Sequence, residues 1–282
     1  MKTYVNNTAE LSAMTDRFDT AVSTELYYGN TENPQALKDW KGVFNMNTNK
    51  VASVVSKDYK IIQHNDVFNT LTATLNNLNI DVFGLVDNRN NKVKMDLVFA
   101  NQGTPVVDDA TGVKLGIRAI NSYDRTSAFR LEMFGYRTVC KNGMAFGKVM
   151  GVREITIHMG QEKSLEKIEA ITTMFIKNVM NSSTTLQAYI NRAIGDSIEW
   201  EMLDKILPKL FAIEKHRKQI INRLKMFEPT TRWELYNAVT HYVTHDLQLK
   251  PSAEAYLELR SREILSTPFN RLEEKYCIAE VF

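Results

Sequence analysis

The chain has 282 residues, 44% hydrophobic and 24% charged, with a formal net charge of +2. That balance supports a packed core and excludes a disordered chain, and no apolar run approaches the roughly 18 residues of a membrane helix. Two cysteines, Cys140 and Cys277, with no CxxC pair and no apolar N-terminal signal core, point to a reduced, cytoplasmic protein without a membrane segment.

Residues 1–50 hold five basic and six acidic side chains and are rich in Asn and Thr. Such side chains compete for backbone hydrogen bonds, so the reading is a polar N-terminal arm with few regular elements. Trp40, Val43 and Phe44 would dock this arm on the body or on a neighbouring subunit. A short strand is expected over 50–55. A helix capped by Asn65 follows, with Val67, Phe68, Leu71, Leu75 and Leu78 on one face. Strands over 81–86 and 93–100 surround a polar turn at 87–91. Residues 103–112 read as a loop, 113–121 and 127–139 as strands, Asn142-Gly143 as a tight turn, and 149–158 as the last strand.

At Gly160 the periodicity changes. Leu165, Ile168, Ile171, Phe175, Ile176 and Val179 keep helical spacing. A second helix carries Leu186, Tyr189, Ile190 and Ile194 and stops at Gly195. A third starts near Ser197 and is kinked or interrupted by Pro208. Helical spacing resumes from Ile213 to Phe227. Thr231 with Glu234 makes a capping box for 232–245, and Ser252 opens a last helix toward Leu265. Strands followed by helices give an α+β class. The expected organisation is an arm (1–50), an antiparallel β-rich core with one helix (51–160) and a helical region (161–282). One sheet is expected over 50–158.

The stretch 113–153 is the chemical centre of the sequence. It holds eight Lys/Arg against two acids, a net of +6 in a chain of +2. Arg118, Arg125, Arg130, Arg137, Lys141, Lys148 and Arg153 are candidate phosphate contacts, and Tyr123, Phe134 and Tyr136 candidate base-stacking partners. On 127–139, Arg130, Phe134 and Tyr136 share one strand face, while Leu131 and Met133 take the other. Arg137 falls on the apolar side, which marks either a bulge at Gly135 or a buried structural pair. The plain alternative is a solvated sheet face. A second cluster, 205–225, holds seven basic residues and one acid. Lys215, Arg217, Lys218 and Arg223 lie there on a helix and offer a second phosphate surface or a solvated helix face.

Other chemistries lack their motifs. Neither GxxxxGK[ST] nor GxGxxG nor GxSxG occurs, which argues against a nucleotide-driven motor and a serine hydrolase. His241 and His245 are spaced i,i+4, but no third metal ligand accompanies them. Asp87, Asp96, Asp108, Asp109, Asp124 and Glu132 lie among strands, as a magnesium nuclease would need, yet Glu132 is followed by Met133-Phe134 rather than by an acid-x-Lys pair. No catalytic residue, metal or cofactor is expected.

Two segments carry a resemblance. Asn121-Ser122-Tyr123-Asp124, then Arg137-Thr138-Val139-Cys140-Lys141-Asn142-Gly143-Met144, resembles a phage- and plasmid-encoded prokaryotic family of unknown function. That family typically shows Asn-Ser-His-Asp-Gly and then Arg-Val-Val-Cys-x-Asn-x-Leu. The stretch 231–245, with Trp233, Asn237, Ala238, Val239, Thr240 and Tyr242, resembles its Trp-x-x-x-Asn-Ala-Val-Thr-x-Tyr segment. Tyr123 stands where the family usually has His, and Arg125 where it has Gly. The order of helix, antiparallel strands and long helix is similar to the β-β-β-α core of the Rad-fifty-two superfamily and to phage annealing proteins of the RecT, Erf and Red-beta kind.

The resemblance implies ATP-independent single-stranded-DNA binding and strand annealing for a mobile element or virus. It also implies a homo-oligomeric ring or filament, and is compatible with a single-strand-binding protein or nuclease as a further partner. A phage or plasmid regulatory or structural factor that binds protein is the alternative; a metal-dependent nuclease is a third.

Overall fold

The computed structural model describes residues 2–89, 91–106, 109–137, 142–145, 155–157, 165–226, 230–247, 257, 261, 263–267 and 271. The strands are β1 (Lys2–Val5), β2 (Ala21–Tyr28), β3 (Gln35–Asn45), β4 (Lys50–Ser56), β5 (Val82–Arg89), β6 (Lys92–Val106), β7 (Asp109–Ser122), β8 (Phe129–Arg137), β9 (Asn142–Ala145) and β10 (Ile155–Ile157). The helices are α1 (Thr8–Thr15), α2 (His64–Asn77), α3 (Leu165–Asn181), α4 (Ser183–Gly195), α5 (Trp200–Leu210), α6 (Glu214–Leu224) and α7 (Arg232–His241), the last running on as a π-helical turn at Tyr242–Asp246. The α+β class holds, with antiparallel sheets and helices concentrated in the C-terminal half.

The strands make two sheets rather than the one expected. A seven-stranded sheet has the order β1-β5-β6-β7-β8-β10, with β9 also on β8; a three-stranded sheet has the order β2-β3-β4. The expected strand over 50–55 is present but belongs to the small sheet. Residues 2–45 also differ from the expected arm: β1 pairs with β5, placing Lys2 opposite Asp87, and β2 and β3 are regular strands. The Asn side chains do bond locally, but they shape ends and turns rather than break strands. Asn7 accepts from the Glu10 amide at 2.8 Å and caps α1. Asn45 Oδ1 accepts from the Asn47 and Thr48 amides at 2.9 and 3.1 Å, forming the β3–β4 turn. The strand β2 reads AVSTELYY, with the β-formers Val22, Thr24, Tyr27 and Tyr28.

Two further expectations change. Residues 103–112, read as a loop, fall mostly within β6 and β7, neighbours in the large sheet. Asn142-Gly143, read as a turn, opens β9. In both places strand pairing overrides the local turn preference. The turn expected over 87–91 is shorter: Asp87, Asn88 and Arg89 still pair with β6 as the end of β5, and Asn91 takes φ 63, a left-handed conformation that asparagine tolerates. The α2 N-cap is Gln63 rather than Asn65. Gln63 is instead committed to Ala21, accepting from its amide at 3.1 Å and donating to its carbonyl at 2.6 Å.

The chain forms two compact units. The first comprises 1–102, 115–134 and 152–180, the second 103–114, 135–151 and 181–282. In the first, one face of the large sheet is apolar, with Val82, Val86, Val93, Met95, Leu97, Phe129 and Leu131 buried. Phe68 of α2 meets Phe129 edge-on at 6.1 Å between ring centres. The large sheet requires glycine at two tight approaches, Gly84 and Gly116, each facing a carbonyl oxygen of a neighbouring strand. A Cβ on Gly84 would lie 2.0 Å from the Asp96 carbonyl oxygen of the neighbouring strand. Backbone cannot yield as a side chain can, so Gly84→Ala is expected to cost roughly 1–3 kcal/mol of unfolding free energy, read from a urea titration. An unchanged midpoint would contradict the close approach.

In the second unit α4 buries Leu186 and Ile190, α5 buries Leu203, Ile206, Leu207 and Leu210, and α6 buries Ile220 and Leu224. Pro208 sits inside the last turn of α5.

Candidate nucleic-acid interface

The opposite face of the large sheet carries the charge. Register fixes which side chains share it. Lys2 stands opposite Asp87, Asp87 opposite Lys94, and Arg89 opposite Lys92; Tyr4 and Asp96 both face Leu85. Residues directly opposite in an antiparallel ladder point to the same side. Arg118 of β7 joins them through Asp96: its Nε donates to Oδ1 at 2.6 Å and its Nη2 to Oδ2 at 3.1 Å. Lys94 Nζ lies 3.5 Å from Asp96, and Arg130 of β8 pairs with Glu132 at 3.3 Å. Arg89 is also ion-paired with Asp87. Within the first unit the face therefore presents six cations, Lys2, Arg89, Lys92, Lys94, Arg118 and Arg130, against Asp87, Asp96 and Glu132.

The electrostatics follow from crowding. Burial works to raise the Asp96 carboxyl, but Arg118 and then Lys94 outweigh it and hold the group below the usual carboxylate range. Burial lowers Lys92; Asp124 opposes this, and the positive charges of Arg130 and Lys94 add to the lowering.

Several candidates sit elsewhere than their residue types suggest. Arg118 is only 4% exposed and is a bidentate partner of Asp96. Tyr123 is buried and stacks on His64, ring centres 3.9 Å apart. Its hydroxyl accepts from the His64 amide at 3.0 Å and donates to the Asp19 carbonyl at 2.8 Å. Burial raises its pKa. It is thus a strut joining the small sheet, through the cluster of Ala21, Val43 and Val55, to α2. His64 is fully buried, and its Nδ1 lies 3.0 Å from Asn121 Nδ2.

Arg125 is exposed, adopts φ 64 and donates to the Val54 carbonyl at 3.1 Å. A left-handed backbone explains why glycine is the usual residue where the resemblance places it. On β8 the expected alternation is present: Leu131 and Met133 are buried, and Arg130 points to the charged side. Tyr136 is half-buried. The side chains of Phe134 and Arg137, and residues Lys141, Lys148 and Arg153, lie outside the described residues.

The α6 cluster belongs to the second unit. Lys215 is exposed. Lys218 pairs with Glu214 at 2.6 Å, and Arg223 approaches Asp246 at 3.9 Å. Arg217 donates to the carbonyls of Phe211 and Ala212 at 2.8 and 2.7 Å, closing the α5–α6 connection. His241 and His245 stand 4.5 Å apart between ring centres. No group of three His, Cys, Asp or Glu that could hold a metal occurs among the described residues.

Sequence reasoning missed Lys2, Arg89, Lys92 and Lys94. The signal was present as the alternation Lys-x-Lys-x-Asp over 92–96 facing Asp-x-Arg over 87–89, which lies outside the 113–153 stretch where basic residues are densest. No helix among the described residues is long and apolar enough to cross a membrane.

Neither a curated protein nor a solved structure matches the chain. A family model described as "Domain of unknown function (DUF932)" matches residues 51–265, which takes in the charged sheet face from β5 to β8 and the α7 segment. On that match the chain belongs to the DUF932 family.

Proposed function

We propose that the chain is an ATP-independent single-stranded-DNA-binding and strand-annealing protein of a prokaryotic mobile element or virus, working as a homo-oligomer without a catalytic residue or cofactor. The observation that carries this reading is the cation-rich sheet face, six cations against three acids across five strands. Phosphate contacts give affinity without sequence choice, as annealing of arbitrary strands requires. Exposed Tyr4 on the same face is the stacking group at its edge. The acids set the geometry of Arg89, Arg118 and Arg130, while Lys92 and Lys94 supply the more adaptable contacts. The α6 cations supply a second phosphate surface.

The test is a salt titration of binding to a labelled oligonucleotide. Neutralising Lys92, Lys94 and Arg89 to Gln should reduce the slope of log affinity against log salt by about 0.7 for each phosphate that the variant no longer neutralises. Sequence preference should stay unchanged. Wild-type affinity and slope in the triple variant would remove this face from the mechanism, and a magnesium-dependent shortening of the oligonucleotide would replace annealing by nuclease activity.

A further inference from the structure

The three-stranded sheet has two unlike faces. One is built into the core: Ala21, Val43 and Val55 pack around Tyr123. The other carries Val22, Leu26, Trp40, Phe44, Val51 and Val54. The register places Val22, Phe44 and Val51 in one row and Gly42 and Val54 in the next. A Cβ on Gly42 would meet Leu26 and Val51 side chains at 3.3 and 3.5 Å, so Leu26 shares that side. No charged residue stands in these rows. Trp40 is 50% exposed there, and Val22, Val51 and Val54 are exposed with it. Of thirteen large apolar side chains left exposed among the described residues, eight lie between Val22 and Val54.

An apolar concentration of this kind marks an interaction surface. Beyond this face the hairpin continues as a ribbon exposed on both sides, from Tyr27-Tyr28 to Gln35–Asp39. A two-stranded ribbon is marginal in water and gains from a partner. Charge complementarity selects the occupant. A polyanion finds no cation among the six side chains, so nucleic acid gains nothing from its phosphates there. The partner must be apolar and uncharged, and among the described residues most of the exposed large apolar side chains lie on or beside this sheet itself. A two-fold axis brings such a patch onto its own copy.

We propose that the outer face of the β2-β3-β4 sheet is the contact between two copies of this chain, packed sheet on sheet, with Trp40 in the row where β4 ends. The contact is independent of the nucleic-acid reading, since the cation-rich face belongs to the other sheet. It also names which part of the N-terminal region joins subunits. Truncating residues 1–40 is not a clean test, because it removes β1 and α1 from the fold; single substitutions on an exposed face are.

The experiment is sedimentation velocity of the full chain at about 1–100 µM, comparing wild type with Trp40→Lys and, separately, Val54→Lys. Circular dichroism and urea midpoints establish that each variant folds. Wild type is expected at a mass of two chains or more. Both variants are expected to drop one association step, with at least a tenfold rise in the concentration needed for assembly. Oligonucleotide affinity per chain is measured alongside. A wild-type monomer at the highest concentration, or folded variants with wild-type mass, overturns the proposal. Variants that keep their mass but fail to bind oligonucleotide overturn it in favour of a base-stacking role for Trp40.

Discussion

Trp233→Ala is expected to lower the unfolding free energy by roughly 3–5 kcal/mol, the range for removing a fully buried aromatic. Trp233 is 0% exposed and stacks on Tyr236 with ring centres 5.9 Å apart; Tyr236 and Val243 are buried beside it. The neighbouring Arg232 explains why the damage should spread. Its guanidinium donates to the carbonyls of Leu265 and Thr267, both at 3.0 Å, and pairs with Asp196 at 2.8 Å. The Arg232 amide also donates to the Asp196 carbonyl at 2.9 Å, beside the bridge between Ser197 and Thr231. The first turn of α7 thus ties together the α4–α5 connection and the 265–267 segment. The Trp-x-x-x-Asn-Ala-Val-Thr-like segment is a structural keystone of the second unit. Urea titration of Trp233→Ala and Trp233→Phe checks it. A midpoint for the alanine variant within experimental error of wild type would contradict the burial, and phenylalanine should recover part of the stability.

Lowering the pH from 7 to 4 is expected to remove roughly 3 kcal/mol of stability through His64 alone. Burial drives the His64 pKa down to about 4, against weaker opposing effects of Asp19, the Asn91 carbonyl and Asp124. The unfolded imidazole titrates near its ordinary value of about 6.5. Between these values the unfolded chain binds a proton that the folded chain refuses, so stability falls as pH drops through the unfolded pKa and levels off below the folded one. The measurement is the difference between wild type and His64→Phe in unfolding free energy at the two pH values. Replacing the ring removes the titration and should flatten that part of the profile. Equal decreases in both proteins would assign the acid sensitivity to other groups.

What the sequence made legible were the elements whose periodicity is strong. Val67, Phe68, Leu71 and Leu75 read as one helix face and are buried together. The Thr231 cap forms as spaced, its hydroxyl accepting from the Glu234 amide at 3.3 Å. The alternation of Leu131 and Met133 against Arg130 was also visible. Hidden from it was everything that depends on pairing between distant strands. The small sheet, which takes Lys50–Ser56 away from the main one, is set by register with Gln35–Asn45 and not by composition. Arg118 counted as a surface cation because its partner Asp96 lies 22 residues earlier on another strand. Tyr123 read as a stacking aromatic because nothing local announces that its hydroxyl will meet the His64 amide and the Asp19 carbonyl. A charge count along the chain therefore found the basic region but not the ladder from Lys2 to Arg130.

The division of the chain has a consequence for its synthesis. The first unit takes its last piece from 152–180, and the second takes its first from 103–114. A ribosome delivering residues in order therefore completes the first unit only after two segments of the second, 103–114 and 135–151, have emerged. While α3 is still in the exit tunnel, the strands of the first unit wait without Ile168, Phe175, Ile176 and Val179, which end fully buried. Contacts between segments so far apart close slowly, and partly built sheets with apolar faces are the species that aggregate. Expression yield of this chain should respond to translation rate and chaperone supply more steeply than that of a protein whose units follow one another along the sequence.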